Sequence, residues 1–582
     1  MSHPLKVETP GLDISDAPFS RQENWLALAL QPETKKQALY LRTARGRIAH
    51  RTMLKIAFAP LDGAAEADLV VTPGKLTLTD GTTSVEFALT ETRTLRVRLR
   101  GPRALEMVMV DQPYSSSFEC EPGRWHLNMN ASRARLMVTK LQGHLTGFAP
   151  FIEGKSDTLP VQLLVSVMDG EAEVEITEFE STWLQPAKRP SFDAIAESAE
   201  EQFATWRAAF GDFGGDSARQ QLADRAAYIM WVNIVPAEGN FCYPAVLMSQ
   251  NAMTAVWSWD HCFVAQALAK AHPRQAWEQW WLPFALQTPE GMLPDEFTNA
   301  YADFGMTKPP VHGRTLLKLL KHYTPTPEEL AAAYQALEKW TGWWFAHRDD
   351  DHDGIPQYNH GCESGWDNDS VCCGGLPSES PDLTVYLIEQ YEALAVLAER
   401  LDRKPDAARW RNEAEELLQR LIAHSWRDGV FISPQSGTHA LGKQGDCLRQ
   451  FWPLLLGSRL PREMTKQLLS GLLTPGRFRT PYGFATESPR SPYYRSDGYW
   501  LGPIWAPSTG QIFEMLRING LEAEAIKTAE DFCALCAANG FNENFEALAG
   551  TGLCDRGYAW TASVCMEFLY ELAALKTSYT PI

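Results

Sequence analysis

No stretch of this chain approaches the roughly 18 uncharged apolar residues of a membrane-spanning helix. Its start, Met-Ser-His-Pro-Leu-Lys-Val-Glu-Thr-Pro, shows no basic segment followed by an apolar run. Neither an anchor nor a signal peptide is therefore expected. Positive charge is scarce: 53 Lys and Arg face 72 Asp and Glu, a formal net charge of −19. Nucleic acid and anionic membranes, which need a basic face, are excluded as expected partners. The chain lacks a phosphate loop with Gly-Lys-Ser/Thr, a Gly-x-Gly-x-x-Gly after a strand, and a Gly-x-Ser-x-Gly elbow. No nucleotide or redox cofactor is implied. The eleven cysteines are odd in number and scattered, and no second Cys-x-x-Cys accompanies Cys533 and Cys536. They are read as reduced thiols of a cytoplasmic protein.

What is present is length and aromatic content. A chain of 582 residues exceeds one ordinary core, so at least two domains are expected. Up to about residue 190, segments such as "RTMLKIAFAP", "TLRVRLRG" and "ARLMVTKLQG" alternate or are β-branched, with Asp-Gly, Gly and Pro turns between them. This pattern predicts an N-terminal antiparallel β-sandwich over 1–190. From 191 to 582 the period changes to about 3.6, and about a dozen helical stretches follow without a fixed repeat. A toroid of paired helices, an (α/α)6 barrel, fits that count. Twenty Trp, 17 Tyr and 26 Phe suit both a large aromatic core and surfaces that stack on sugar rings.

The loops between the predicted helices are rich in Trp, Asp, Glu, Asn and His, and loops on a rigid scaffold are where sites usually lie. Two of them carry carboxylates dressed with aromatic and polar neighbours: Asp367 in "HGCESGWDNDS" and Glu543 in "GFNENFE". Glycosidic hydrolysis needs such a pair, one carboxyl to protonate the leaving oxygen and one to activate water or attack. Trp366 beside Asp367 disfavours the charged form, as an acid needs. Asn542 and Asn544 offer donors to an ionised Glu543. Asp349, Asp351 and Asp353 before Gly354 open like a calcium loop, but His360 stands where the bidentate Glu belongs. An Asp-rich turn is the favoured reading there, with Ca2+ as the alternative; no other metal site is expected.

Several blocks, in this order, resemble glycoside hydrolase family 63, with the trehalase and glucoamylase type of barrel: "WSWDHCF", "GMLPDEF", "KPPVHG", "ESGWDNDS", "SPDLTVYL", "GYWLGPIW" and "FNENFE…GYAWTAS". The likeness spans roughly 195–575. The family covers processing and bacterial α-glucosidases and the mannosylglycerate and glucosylglycerate hydrolases. The resemblance implies an inverting exo-α-glycosidase, most simply an α-glucosidase. In it Asp367 is the general acid, Glu543 the general base, and Asp260 a ligand of sugar hydroxyls. Inversion sets the two carboxyls about 6.5–9.5 Å apart. Trp257, Trp259, Trp366, Trp500 and Trp505 are candidate pocket walls, and Glu363 and His312 candidate sugar contacts. Asp369 is read as structuring its loop, and Asp295 and Glu296 as sugar ligands or a helix cap, the cap being the default. The family pattern "YWRGPIW" is broken by Leu501, and an Asn/Asp-Pro turn is replaced by "EALAGTG". Both changes bear on sugar specificity. The expected partner is a small carbohydrate; nothing in the sequence sets an oligomeric state. Two other readings stand beside this one: a sugar epimerase or isomerase using His261, His312 or His360, and a carbohydrate-binding protein without turnover.

Overall fold

Period-two burial builds the first part of the molecule. In Leu76–Thr79 the buried residues are Leu76 and Leu78, and in Arg124–Met129 they are Trp125, Leu127 and Met129. The computed structural model describes residues 6–7, 12–30, 39–45, 51–59, 67–90, 92–111, 113–214 and 217–577. Of the N-terminal decapeptide read above for a leader, only Lys6 and Val7 fall within them. One sheet orders its nine strands as Lys6–Val7, Asp68–Val71, Leu76–Thr79, Ser84–Leu89, Thr94–Arg100, Ala172–Phe179, Ala134–Gln142, Arg124–Met129 and Ser116–Glu121. The second runs His144–Phe148, Gln162–Ser166, Leu105–Met109, Thr52–Phe58, Leu39–Thr43 and Leu26–Leu30. Among the described residues, only Lys6–Val7 pairs in parallel. Side chains join the sheets: the Thr43 hydroxyl donates to Glu178 Oε1 at 3.0 Å and that of Ser117 reaches Met109 Sδ at 3.6 Å. This is the expected antiparallel sandwich.

The chain divides into two compact units. One comprises Met1–Phe210, Ala227–Glu238 and Pro244–Thr254; the other comprises Gly211–Ala226, Gly239–Tyr243 and Ala255–Ile582. Helix α1 (Phe192–Ala209) stays with the sandwich, burying Phe192 and Ile195 against Ala88. Its N-terminus is capped by the Ser191 hydroxyl, which accepts from Ala194 N–H at 3.3 Å.

The remaining helices are α2 (Ser217–Val232), α3 (Asp260–Leu268), α4 (Pro273–Trp281), α5 (His312–Leu319), α6 (Pro327–His347), α7 (Pro381–Arg400), α8 (Lys404–Ser425), α9 (Arg462–Leu472), α10 (Ala506–Ile518), α11 (Glu522–Asn539) and α12 (Ala559–Thr577). Each answers one of the helical stretches read from the sequence. A 3₁₀ segment, Leu448–Arg459, joins them. Packing closes a ring in which α3 touches α5, α5 touches α7, α7 the 3₁₀ segment, that segment α10, α10 touches α12, and α12 returns to α3. Outside it, α4 lies on α3 and α5, α6 and α8 on α7, α9 on the 3₁₀ segment, and α11 on α10 and α12. Arg225 of α2 meets the Ala537 carbonyl of α11 at 3.4 Å. Among the described residues this makes six inner and six outer elements, the (α/α)6 barrel.

Inner helices are apolar nearly all round; α7 buries Leu383, Val385, Leu387 and Ile388 in sequence. Outer helices keep an exposed face, and α6 starts with a Thr326–Glu329 capping box before Pro327. The sixth inner element was not legible as a helix. Pro453 interrupts it, and Gly457 turns the chain at φ 56°. No helix among the described residues is long and apolar enough to cross a membrane.

Two glycines should respond oppositely to alanine. A Cβ on Gly457 would stand 2.3 Å from Ile518 Cγ2 in addition to its left-handed φ, whereas one on Gly342 in α6 meets nothing within 4 Å. Gly457→Ala should destabilise by about 1 kcal/mol or more, and Gly342→Ala should stabilise by roughly 0.5–1 kcal/mol. Thermal and urea melts of the two variants check this.

Candidate active site

Between α6 and α7 the sequence "HGCESGWDNDS" folds as one 3₁₀ turn, Gly361–Ser364, followed by Gly365 at φ 72°. A side chain at Gly365 would also strike Trp259, its Cβ lying 2.6 Å from Cζ2. Only glycine meets both demands. The residues around Asp367 are fastened one by one. Ser364 Oγ donates to the Gly361 carbonyl at 2.7 Å and accepts from Trp366 N–H at 3.1 Å. Trp366 lies edge-on to Trp452, with centroids 5.1 Å apart, and against Trp500 at 4.7 Å. Asn368 accepts from Trp500 N–H at 3.0 Å and donates to the Gly498 carbonyl at 3.0 Å. Asp369 takes the buried Arg449 guanidinium at 2.7 and 3.0 Å. Asp367 sits among these anchors with 30% of its side chain exposed.

Facing it is one buried cation. Lys308 Nζ donates to the Cys362 carbonyl at 2.9 Å, and stands 3.1 Å from Asp295 Oδ1 and 3.8 Å from Asp367 Oδ1. Burial alone would lower the Lys308 pKa, but Asp367, Asp295 and Asp260 hold it above the ordinary lysine value. The three carboxyls share too little positive charge. Burial lifts Asp260 well above the carboxylate range; Lys308 opposes that rise, while Asp367 and Asp295 add to it. Asp295 and Asp367 are also raised, burial being the first cause and Lys308 the main opposition in each.

Glu543 comes from a different element. It lies on Asn542–Phe545, the middle strand of a three-stranded sheet with Ile504–Trp505 and Gly552–Arg556. Tyr499 O–H donates to its Oε1 at 3.0 Å and Asp555 N–H to its Oε2 at 3.3 Å. Burial pushes Glu543 up to about 7 against those two donors, and the charges of Asp555 and Asp367 add to the rise. Tyr499 reaches it from a left-handed backbone, φ 63°, with its carbonyl held by Trp505 Nε1 at 2.9 Å. Left-handed φ in an aromatic residue is strained and persists only where the surroundings enforce it. Burial raises the Tyr558 hydroxyl well above the tyrosine range, with Glu543 and Asp260 adding to it.

Asp367, Glu543 and Asp260, read from different stretches of sequence, thus meet in one electrostatic cluster. Trp257, Trp259, Trp366, Trp500 and Trp505 are all more than nine-tenths buried, and Trp500 and Trp505 stack on each other at 4.0 Å and 6°. They form the interior of the wall, without open stacking faces. Glu363 is fully committed to the frame: its carboxylate pairs with Arg348 at 2.6 Å and accepts from Asn359 N–H at 2.7 Å. His312 is not a sugar contact. It is completely buried, its Nε2 lies 3.0 Å from the Ser258 carbonyl, and burial lowers its pKa to about 3. Asp295 and Glu296 cap no helix; Asp295 pairs with Lys308, and Glu296 sits on the short strand Glu296–Phe297 opposite Trp257. Asp349 and Asp353 hold their own turn, accepting from Gly354 and Ile355 N–H.

The sequence reading missed Lys308 and Tyr499. Both stand inside blocks singled out for other residues, Lys308 opening "KPPVHG" and Tyr499 preceding Trp500. The signal was faint: Lys308 stands directly before two prolines, and a lysine is costly to bury unless paired. A cavity of about 740 Å³ lined by Gln266, Arg314, Lys318, Glu514 and Glu567, among others, contains none of these carboxylates. Pocket size therefore does not locate the chemistry; the coupled carboxyls do.

Residues 253–561, more than half of the chain, match the family described as mannosylglycerate hydrolase MGH1-like glycoside hydrolase domain. The glucosylglycerate hydrolase of Mycolicibacterium hassiacum is 24% identical over 446 residues, 60% of this chain and 98% of that protein. The mannosylglycerate hydrolase of Rubrobacter radiotolerans is 24% identical over 403 residues, 54% of this chain and 90% of that one. Among solved structures, the family 63 mannosylglycerate hydrolase of Thermus thermophilus in complex with Tris aligns with TM-score 0.52 and 20% identity, covering 60% of this chain and 99% of that one. A bacterial glucoamylase complexed with acarbose aligns with TM-score 0.61 and 11% identity, covering 99% of this chain and 97% of that one. At those identities the structural matches speak for the fold alone. The family match, on the segment that carries every carboxylate of the cluster, shows that this chain belongs to the MGH1-like glycoside hydrolases, within glycoside hydrolase family 63.

Proposed function

We propose that this glycoside hydrolase is an inverting, exo-acting α-glycosidase that removes a terminal α-linked hexose, first of all glucose, from a small glycoside. One observation carries the reading. Two carboxyls from separate loops, Asp367 and Glu543, come close enough to feel each other's charge. Asp367 protonates the glycosidic oxygen; burial keeps a proton on it more readily than on an ordinary aspartate. Glu543, oriented by Tyr499 and Asp555 N–H, takes a proton from the water that attacks the anomeric carbon from the opposite face. Asp260 and Asp295 accept from sugar hydroxyls, and Lys308 sets the charge between them and the acid. The depth of Asp260 and Glu543, 3% and 6% exposed, supports a blind pocket for a chain end over an open cleft.

The similar proteins named as glucosylglycerate and mannosylglycerate hydrolases support a hexosyl-glycerate as one substrate. The reading includes a cytoplasmic setting, in which the eleven thiols stay reduced. Histidine-based epimerisation loses two of its three candidates, since His261 and His312 are completely buried.

A proton NMR time course with glucosylglycerate, mannosylglycerate, trehalose, kojibiose, nigerose and maltose should show the β-anomer of the released hexose first. Initial α-anomer would sink the assigned roles. Asp367→Asn and Glu543→Gln should each lower kcat by roughly 10²–10⁴-fold with folding intact; normal turnover by either variant removes that residue from the mechanism. Because the base must be ionised and stands near 7 in the free enzyme, kcat/KM should rise with pH through about 7. Tyr499→Phe removes a hydrogen bond that favours the ionised base, so its rising limb should move to higher pH. An unmoved limb counts against Glu543 as the group observed.

A further inference from the structure

Away from the carboxylate cluster, four segments of the barrel bring metal-ligating atoms to one point. Asp353 comes from the turn after α6, Glu379 from the residues before α7, and His424 from the last turn of α8. His439 comes from a tight turn in which its N–H donates to the Gln435 carbonyl. One donor atom from each lies within 4.8 Å of all the others. His424 Nε2 is 2.8 Å from Glu379 Oε2 and 3.6 Å from Asp353 Oδ2. His439 Nε2 is 3.5 Å from Asp353 Oδ2 and 3.8 Å from Glu379 Oε2. Tetrahedral ligands about 2.0–2.2 Å from a single zinc-sized ion stand roughly 3.3–3.6 Å apart, and the four separations just given, 2.8 to 3.8 Å, bracket that spacing.

Glu379 supplies the second observation. It is completely buried, and neither carboxylate oxygen has a hydrogen-bond partner among the described residues. His424 Nε2 also lacks one: although 2.8 Å apart, it and Glu379 Oε2 are not aligned as donor and acceptor. A buried carboxylate without donors is costly, and a cation removes that cost. The ligands are oriented from behind. His424 Nδ1 lies 2.9 Å from Ser425 Oγ, leaving Nε2 to face inward. Asp353 Oδ1 accepts from Ile355 N–H at 2.8 Å, leaving Oδ2 free to turn in. Asp351 Oδ2, held by Gly437 N–H at 2.9 Å, touches His439 Nε2 at 3.0 Å. His439 adopts φ 49°, a left-handed conformation that non-glycine residues seldom take.

We propose that Asp353, Glu379, His424 and His439 form a binding site for a divalent transition ion of the zinc class, with Asp351 beside it. Two imidazoles and two carboxylates suit zinc in four-coordinate geometry, whereas calcium takes oxygen ligands throughout. Two carboxylates also balance the charge of one such ion. The acidic turn is thereby one wall of a mixed site. Asp353 and Glu379 bracket the segment that carries Asp367, so the ion acts as a clamp on both ends of that loop and takes no part in bond cleavage.

The test uses the full chain, stripped with chelator and titrated with Zn2+ alone by calorimetry, with bound metal counted by mass spectrometry. One Zn2+ per chain is expected, with a higher melting temperature. His439→Ala, at an exposed position, should weaken binding at least about tenfold while melting like the stripped wild type in EDTA. Glu379→Gln should do the same and serves as the second variant if the first misfolds. No Zn2+ bound by the folded, stripped protein overturns the proposal. So does Zn2+ binding that neither variant weakens. Binding of Ca2+ in place of Zn2+, undiminished in His439→Ala, also overturns it and returns the turn to a calcium loop. These readouts do not depend on turnover, so they stand or fall separately from the proposed hydrolysis.

Discussion

One buried cation sets the chemistry of this molecule. Lys308 faces Asp295 and Asp367 directly and feels Asp260, with almost no water to share the charge. Three carboxyls against one ammonium leave an excess of negative charge in a low-dielectric pocket, and protons are the available remedy. Burial raises all three carboxyls, their mutual repulsion adds to the rise of Asp260 and Asp295, and Lys308 opposes it in each. Without the lysine the cost of ionising any of them would be higher still. Removing one carboxyl would change the proton occupancy of the other two.

That arrangement rests on a frame of buried ion pairs. Arg449, completely buried, grips Asp369 two residues beyond Asp367, and its Nη1 stands 3.7 Å from Asp382 at the start of α7. Tyr358 completes the link by donating to Asp382 at 3.0 Å. Arg348 grips Glu363 on the near side of the loop. Breaking such a buried pair from one side costs about 3–5 kcal/mol, because it leaves a charge behind. The tryptophans do the same work with shape. Trp366, Trp500 and Trp505 pack in series, and Trp505 fixes the strained Tyr499 that orients Glu543.

The barrel explains how loops so far apart in sequence come together. Its inner helices form a closed ring; Asp260 opens α3, and the segments leading into α5, α7, α10 and α12 carry Lys308, Asp367, the Tyr499–Trp505 run and Glu543 respectively. A site assembled this way leaves each local motif weak while the whole is specific. The proposed metal clamp obeys the same logic, with ligands contributed from both ends of the α6–α7 connection, from α8 and from the turn at His439.

Periodicity alone determined the sandwich, the twelve α-helices and their order, because burial of one face imposes a period of 2 on strands and about 3.6 on helices. The sequence also offered Asp367 and Glu543 as candidates, through loops whose polar and aromatic content no turn requires, and Asp260 through the resemblance to family 63. It did not reveal the inner element Leu448–Arg459, where Pro453 and Gly457 mask a helical path that packing against α7 and α10 enforces. It could not tell His312, a core residue, from a ligand, or assign Lys308 and Tyr499 their partners. Nor could it show that Asp353, Glu379, His424 and His439 share one point. Those are contacts between residues far apart in the chain, and only closure of the helical ring brings them within range of one another.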